Sequence, residues 1–342
     1  MERRLAQIVQ VVEDRLTRHF DHAAINPLFA PLPPLVTAQE VRNLTLRGGK
    51  RIRAALLACG FELTASGDPM AQEAVIDAAA ALELLQSYFL IHDDIMDDDD
   101  VRRGGPSVHA SLRRRTGSEV QGRNLAILAG DYACAAAFSL MGGLPGADGT
   151  ARRAGTIFAQ MHLDVIAGQE LDLLADVPAA EIVRRKTASY TTVGPLCIGA
   201  ALAGADDGRL LALAQMAQPL GMAFQYRDDL LNLPVAEADT GKSRGRDLAL
   251  GKRTLLLEEA FHRASPSQRA AIDRVIGHAD TPADLMAEAL LAIHACGARQ
   301  ACEQTIVRLT DETLDGVAAL CPQAERRAFF EWIARQLATR AR

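Results

Sequence analysis

The sequence predicts an all-α protein of ten or more helices, organised as one domain over residues 1–342. Three observations predict it. Alanine and leucine are abundant while aromatic residues make up only 4% of the chain, a mix that favours helix because alanine and straight-chain residues lose little entropy there. Apolar residues recur at helical spacing, and strand-like alternation is not found. No composition shift marks a domain boundary.

Residues 2–20 carry Leu5, Ile8, Val12, Leu16 and Phe20 on one stripe, the pattern of an amphipathic helix. Four prolines between Asn26 and Pro34 make that stretch a linker. Helical patterning resumes near Thr37, breaks at Gly48-Gly49, and returns through Leu56 and Leu57 to a turn at Ser66-Gly67-Asp68-Pro69. A long helix is expected over 71–97, then a Gly-Gly-Pro loop at 104–106. Further helices are expected over 122–141, 150–176, 179–204, 207–233, 253–263, 281–296 and 323–340, with loops at 142–149 and 234–252.

The net charge of −6 argues against a general nucleic-acid binder, which needs a basic surface. The six cysteines are scattered without a CxxC pair, so neither a zinc site nor a disulfide framework is indicated. The N-terminal residues lack an apolar signal core, and no unbroken apolar run reaches about 18 residues, so no stable membrane span is expected and a cytoplasmic location is the default.

Chemistry concentrates in two acidic clusters. Six aspartates fall within residues 93–100. Asp93 and Asp97 share one helix face a turn apart, where like charges repel unless a counter-charge is supplied. Mg²⁺ takes oxygen ligands and is typically held by one or two carboxylates plus substrate phosphates. The apolar run from Leu82 to Ile91 delivers these acids from a buried helix, which sets them apart from an ordinary solvated charge run. The segment from Phe224 to Asn232 repeats the arrangement, with Asp228-Asp229 at the end of an apolar helix. Opposed across a helical bundle, two such clusters would make a metal-loaded cavity.

Basic residues accompany both. Lys50 and Arg53 follow Gly48-Gly49, where glycine lets the backbone approach a phosphate. Arg102 and Arg103 follow the first cluster, and Lys242 and Lys252 flank the polar loop after the second. Arginine offers paired planar donors to phosphate oxygens and lysine a compact charge. A diphosphate fits that demand, and no P-loop signature competes for it.

GGKRIR at 48–53, DDIMD at 93–97 followed by Arg102-Arg103-Gly104, Lys186-Thr187, Phe224-Gln225 with Asp228-Asp229, and Thr240-Gly241-Lys242 stand in an order and spacing that resemble the trans-type prenyl diphosphate synthases, the family of farnesyl and geranylgeranyl diphosphate synthases. The resemblance spans roughly residues 40–260. It implies an isoprenoid-synthase bundle of ten or more helices around a central cavity, a homodimer, and two to three Mg²⁺ ions. It also implies head-to-tail condensation of an allylic diphosphate with isopentenyl diphosphate. Asp93, Asp97 and Asp228, with Asp94 and Asp229 beside them, would hold the ions. Arg102, Lys186, Lys242 and Lys252 would bind the allylic diphosphate, and Lys50, Arg53, Gln86 and Arg103 the isopentenyl diphosphate. Thr187 and Gln225 would line the space where the allylic cation forms.

Three positions depart from the family pattern. Asn232 replaces a frequent third aspartate, Ala54 a common proline, and Gln86 a frequent histidine. Tyr88 and Phe89 lie five and four residues before Asp93, roughly 6 to 7.5 Å below it along the helix. Paired rings there resemble the farnesyl-type arrangement and imply a C15 product, with C20 as the alternative. A class I terpene cyclase would need an Asn/Asp–Ser–Glu metal motif that is missing at Asp228-Asp229, and it has no use for Lys50 and Arg53. An inactive subunit or a non-enzymatic helical protein predicts no Mg²⁺-dependent diphosphate release.

Overall fold

Why the chain is helical is visible at the helix ends as well as in the stripes. Ser107, Ser118, Thr254 and Ser265 each accept a hydrogen bond from a backbone N–H in the first turn of the helix they precede, at 3.4, 3.3, 3.1 and 3.4 Å. Such caps satisfy donors that have no intrahelical partner. The computed structural model describes residues 1–21, 32–145, 149–232, 248, 251–278 and 280–339. Most of the proline-rich linker and most of the polar loop, including Lys242, lie outside the described residues.

The chain divides into two compact units, Met1–Thr156 with Cys197–Asp206, and Ile157–Leu196 with Asp207–Arg342. The first holds α1 (Glu2–Asp21), α2 (Val36–Leu46), α3 (Ile52–Thr64), α4 (Glu73–Met96), α5 (Val108–Thr116) and α6 (Glu119–Gly142). A two-residue antiparallel ladder, Val101–Arg102 with Gly105–Pro106, follows α4. Within this unit α4 packs against α1, α2, α3, α5 and α6. Its core includes the fully buried Leu16, Leu56, Leu57, Leu82, Leu84 and Leu85.

The helix α7 (Thr150–Leu174) leads into the second unit. The expected 179–204 helix is realised as α8 (Ala179–Val183), a π-helical stretch (Arg184–Val193) and α9 (Gly194–Leu202) in direct succession. The remainder is α10 (Asp207–Asn232), α11 (Leu255–Arg263), α12 (Pro266–Asp273), α13 (Ala283–Ala295), α14 (Ala298–Leu320) and α15 (Ala324–Thr339). Here α10 is central, packing against the π-helical stretch, α8, α11, α14 and α15. Three helices, α5, α12 and α14, fall outside the segments that the sequence pattern marks.

Both α4 and α6 are long and apolar enough to cross a membrane by length and composition. In α4, however, Asp77 and Glu83 are buried and ion-paired, to Arg15 at 2.5 Å and to Arg51 at 2.9 Å. A helix carrying two buried, matched carboxylates is built for a protein core. α6 differs, because it leaves Val120, Ile127, Leu128 and Phe138 exposed.

Candidate active site

The first unit carries the first acidic cluster at the C-terminus of α4. Asp93 and Asp97 are partly exposed there, with the Asp97 N–H donating to the Asp93 carbonyl at 2.8 Å. Asp98 adopts the left-handed conformation (φ 54°), and the Asp99 N–H reaches back to the Asp94 carbonyl at 2.9 Å. This is the usual way to end a helix while satisfying its last carbonyls, with aspartate in the place glycine often takes.

Asp94 differs from its neighbour. Its side chain is buried at 0% exposure and accepts two hydrogen bonds from Arg102, from Nε at 2.8 Å and from Nη2. Burial raises the Asp94 carboxyl to about 6, and Arg102 opposes that shift. The ladder that carries Arg102 is pinned by Arg47, whose Nη1 donates to the carbonyls of Arg102 and Pro106 at 3.0 and 2.8 Å.

The basic loop lies in the same unit. Gly48 and Gly49 take φ of 84° and 139°, and Arg51 itself sits at 47°. Only glycine adopts such angles without strain, so the pair permits the sharp entry into α3. Arg103 donates through Nη1 to the carbonyls of Leu44 and Gly48, at 3.2 and 2.9 Å, which ties it to this loop. Lys50 is exposed and Arg53 half-buried. Arg51, between them, is 3% exposed and donates to Glu83, Glu13 and the Thr45 carbonyl at 2.9, 3.1 and 2.7 Å. The loop thus hangs on a buried guanidinium while presenting Lys50. Gln86 is half-buried on α4, beside Ser87, which hydrogen-bonds Thr45 at 2.7 Å.

Below Asp93 the two aromatic rings are in contact, with centroids 5.0 Å apart. Tyr88 also meets the His92 ring edge-on at 4.7 Å. His92 occupies a notch at Gly130 of α6, where an added Cβ would fall 2.2 Å from Nε2. Helical spacing puts Phe89, Asp93 and Asp97 on one stripe and Tyr88 on the adjacent one with His92.

The second unit carries the remaining described residues of the prediction. The π-helical stretch holds Lys186 and Thr187, and glycines let its neighbours come close. A Cβ at Gly168 of α7 would meet the Lys186 backbone N at 2.5 Å, and one at Gly221 of α10 the Ala188 Cα at 2.5 Å. Thr192 reinforces the second contact by donating to the Ala217 carbonyl at 3.0 Å. Lys186 pairs with Asp172 of α7 at 2.7 Å.

One turn beyond Gly221, the Thr187 hydroxyl donates to Gln225 Oε1 at 2.8 Å. Gln225 Nε2 in turn donates to Asp229 Oδ1 at 2.8 Å, and the Leu256 N–H of α11 to Asp229 Oδ2 at 3.4 Å. Asp229 is 7% exposed, and burial lifts its carboxyl to about 7 against the pull of these donors. Asp228 is partly exposed, Asn232 exposed and Lys252 half-buried.

The structure therefore brings together Asp93, Asp94, Asp97, Arg102, Arg103, Lys50, Arg53, Gln86, Tyr88 and Phe89 in one unit. It brings Lys186, Thr187, Gln225, Asp228 and Asp229 together in the other. Sequence reasoning missed Asp172 and Arg51. Among the described residues no three acidic, histidine or cysteine side chains form a ready-made metal site. The donors present are hard carboxylate oxygens in adjacent turns, and these fit a hard divalent cation completed by phosphate oxygens.

The polyprenyl synthetase family matches residues 36–293. The chain belongs to this family. It is a prenyl diphosphate synthase, a transferase of the short-chain type, and it shares the all-α isoprenoid-synthase fold of its relatives. A short-chain isoprenyl diphosphate synthase of Methanothermobacter thermautotrophicus is 31% identical, with 81% of this chain and 82% of that one covered. The geranylgeranyl diphosphate synthase of Methanosarcina mazei is 34% identical over 76% and 77%. A crystal structure of the Corynebacterium glutamicum geranylgeranyl pyrophosphate synthase, complexed with isoprenyl diphosphate and magnesium, is 35% identical. It superposes with a TM-score of 0.86, covering 98% of this chain and 99% of that one.

Proposed function

We propose that this synthase condenses an allylic diphosphate with isopentenyl diphosphate, and that its two units act as a single catalytic domain. The observation that carries the reading is the pairing, within one unit, of the open Asp93/Asp97 face with the Lys50/Arg53/Arg103 loop. The first suits a metal-bound diphosphate and the second a diphosphate held by cations alone, so two different substrates are accommodated. A cyclase, which binds one diphosphate, leaves the loop without a purpose.

Asp93, Asp97 and Asp228 would hold two to three Mg²⁺ ions, consistent with the magnesium in the Corynebacterium neighbour. The ions supply charge to the departing diphosphate. Arg102, Lys186, Lys252 and Lys242 add cationic charge to the same group. As the allylic C1–O bond breaks, the oxygens of Gln225 and Thr187 face the cation that forms. Isopentenyl diphosphate, held through its diphosphate by Lys50, Arg53, Gln86 and Arg103, attacks C1 through its double bond, and the new carbocation loses a proton to the released diphosphate. Asp94 and Asp229, buried and hydrogen-bonded, support this site from behind.

The product reading shifts from the expected C15 to C20. Two of the relatives named above are geranylgeranyl diphosphate synthases. In this chain only Phe89 shares the stripe of Asp93, while Tyr88 is engaged with His92. One ring directly beneath the metal face leaves more room than two. The exposed apolar residues of α6 support a homodimer, because a row of that size is costly to leave in water. Six scattered cysteines without a CxxC pair fit a reducing, cytoplasmic location.

The deciding assay is diphosphate release by the purified chain with dimethylallyl and isopentenyl diphosphates, with and without a chelator. Release that needs both substrates and Mg²⁺, with C20 chains by mass, is the expected result. Release from one substrate alone would identify a cyclase or a hydrolase.

A further inference from the structure

In the second unit the polarity of one hydrogen-bond chain is fixed by a residue that touches neither ion nor substrate in this scheme. Asp229 accepts through both oxygens, from Gln225 Nε2 at 2.8 Å and from the Leu256 N–H at 3.4 Å. The N–H of Leu256 belongs to the first turn of α11, and a backbone N–H can only donate. With Asp229 ionised, Oδ1 also can only accept, which turns the Gln225 NH₂ toward Asp229 and its oxygen toward Thr187. The 2.8 Å bond from Thr187 to Gln225 Oε1 closes the chain. Asp229 is 7% exposed, against the partly exposed Asp228 beside it.

We infer that Asp229 is a positioning residue, not a metal ligand, and that it sets the orientation of the Gln225 carboxamide so that an oxygen faces the developing allylic cation. The inference rests on the prenyltransferase reading for the cation, and on the hydrogen bonds alone for the orientation. An oxygen dipole stabilises positive charge, and an NH₂ group in the same place opposes it. Asparagine at 229 has a single acceptor oxygen. If that oxygen keeps the Leu256 N–H, its NH₂ faces Gln225 and the carboxamide reverses.

The test uses the full chain with Mg²⁺, dimethylallyl diphosphate and isopentenyl diphosphate. Asp229→Asn is expected to lower kcat about 100-fold, the effect of losing one electrostatic contact to a developing charge. Its substrate KM values and its half-activating Mg²⁺ concentration are expected to match wild type. Asp228→Asn, the control, is expected to raise the Mg²⁺ requirement. In a Gln225→Ala background, Asp229→Asn is expected to cost less than about 2-fold, because the group it orients is gone.

The exchanged pair Gln225→Glu with Asp229→Asn keeps one carboxylate and one amide, with an acceptor again toward Thr187. It is expected to recover activity to within about 10-fold of wild type, and it serves if Asp229→Asn alone does not fold. A raised Mg²⁺ requirement in Asp229→Asn, additive losses, or no recovery in the exchanged pair would overturn the inference. A wild-type chain without two-substrate diphosphate release would instead overturn the prenyltransferase reading. In that case the thermal-unfolding coupling between positions 225 and 229 still tests the hydrogen bond on which the orientation rests, with additive melting shifts counting against it.

Discussion

At the end of α4 the buried carboxylate of Asp94 faces a guanidinium, whereas at the end of α10 the buried carboxylate of Asp229 faces a carboxamide and a helix N-terminus. In both clusters the leading aspartate, Asp93 or Asp228, stays partly open while the second turns inward. The inward residue meets a full charge in one case and only dipoles in the other. Burial lifts both carboxyls, to about 6 for Asp94 and about 7 for Asp229, against the pull of Arg102 in the first and of Gln225 and the Leu256 N–H in the second. A doubled acidic motif thus carries two jobs in one dipeptide, and the second job is set by what lies behind the helix. In the first cluster it fixes the direction of a cation, Arg102. In the second it fixes the direction of a neutral group, Gln225.

The sharpest way to break the comparison is to neutralise the open members. Asp93→Asn and Asp228→Asn are each expected to lower kcat by about 10²–10³-fold, the range for loss of one electrostatic contact to a developing charge. Steady-state diphosphate release measures both. A drop under tenfold in Asp228→Asn would mean that the second cluster is no metal clamp.

Stability separates the inward members. Asp94→Asn leaves the Arg102 guanidinium, with 27% of its side chain in solvent, to the longer 3.8 Å pair with Asp99, at a cost of about 3 kcal/mol. Asp229→Asn leaves no charge stranded and is expected to cost about 1 kcal/mol. Urea unfolding of both variants tests that order, and equal losses would erase the distinction drawn above.

The flanking glycines give a smaller contrast. An added Cβ at Gly221 meets backbone, the Ala188 Cα at 2.5 Å, while at Gly130 it meets the His92 ring, a side chain that can turn. Gly221→Ala is expected to cost about 3 kcal/mol and Gly130→Ala about 1 kcal/mol, both within the range for overpacking. Thermal melts check the order. Gly130→Ala has a second readout: by moving His92 and with it Tyr88, it is expected to shift product length less than Phe89→Ala does, as judged by mass analysis of the chains. The smallest effect is expected from Asn232→Asp, which adds a carboxylate to the weaker cluster and lowers the half-activating Mg²⁺ concentration by about 2-fold.

Much of this was legible in the residues. The helix expected over 71–97 is α4 at Glu73–Met96, and that over 207–233 is α10 at Asp207–Asn232. Both carry long apolar runs that end in acids. α14 escaped because its buried face is made of Ala298, Ala301, Cys302, Thr310 and Thr313 with only Ile306 and Val317 as large apolar members. Its threonines can be buried because they donate to carbonyls one turn back, Thr310 to Ile306 at 2.7 Å and Thr313 to Leu309 at 2.9 Å. Such residues read as polar in a pattern and act as core in the fold. α5 escaped for a different reason, since three consecutive arginines fill its last turn.

In the site, the residue types were legible and their pairings were not. Arg51 to Glu83 and Lys186 to Asp172 join positions 32 and 14 residues apart, and no local periodicity announces them. Gln225 and Asp229 stand four apart on one helix, so that pair could have been read from spacing.

The π-helical stretch has a consequence for how this chain tolerates change. Lys186 and Thr187 are presented by wide turns in which the Gly194 N–H reaches back to the Ser189 carbonyl. Such a segment holds the equivalent of one residue more than an α-helix of the same height. Removing a single residue between 184 and 193 would let it relax to α geometry, which keeps the flanking helices in register but withdraws the wide turn that presents Lys186 and Thr187. Residue count, quite apart from residue identity, is therefore part of the specification here. An alignment gap in this stretch would be a graver change than most of the substitutions it contains.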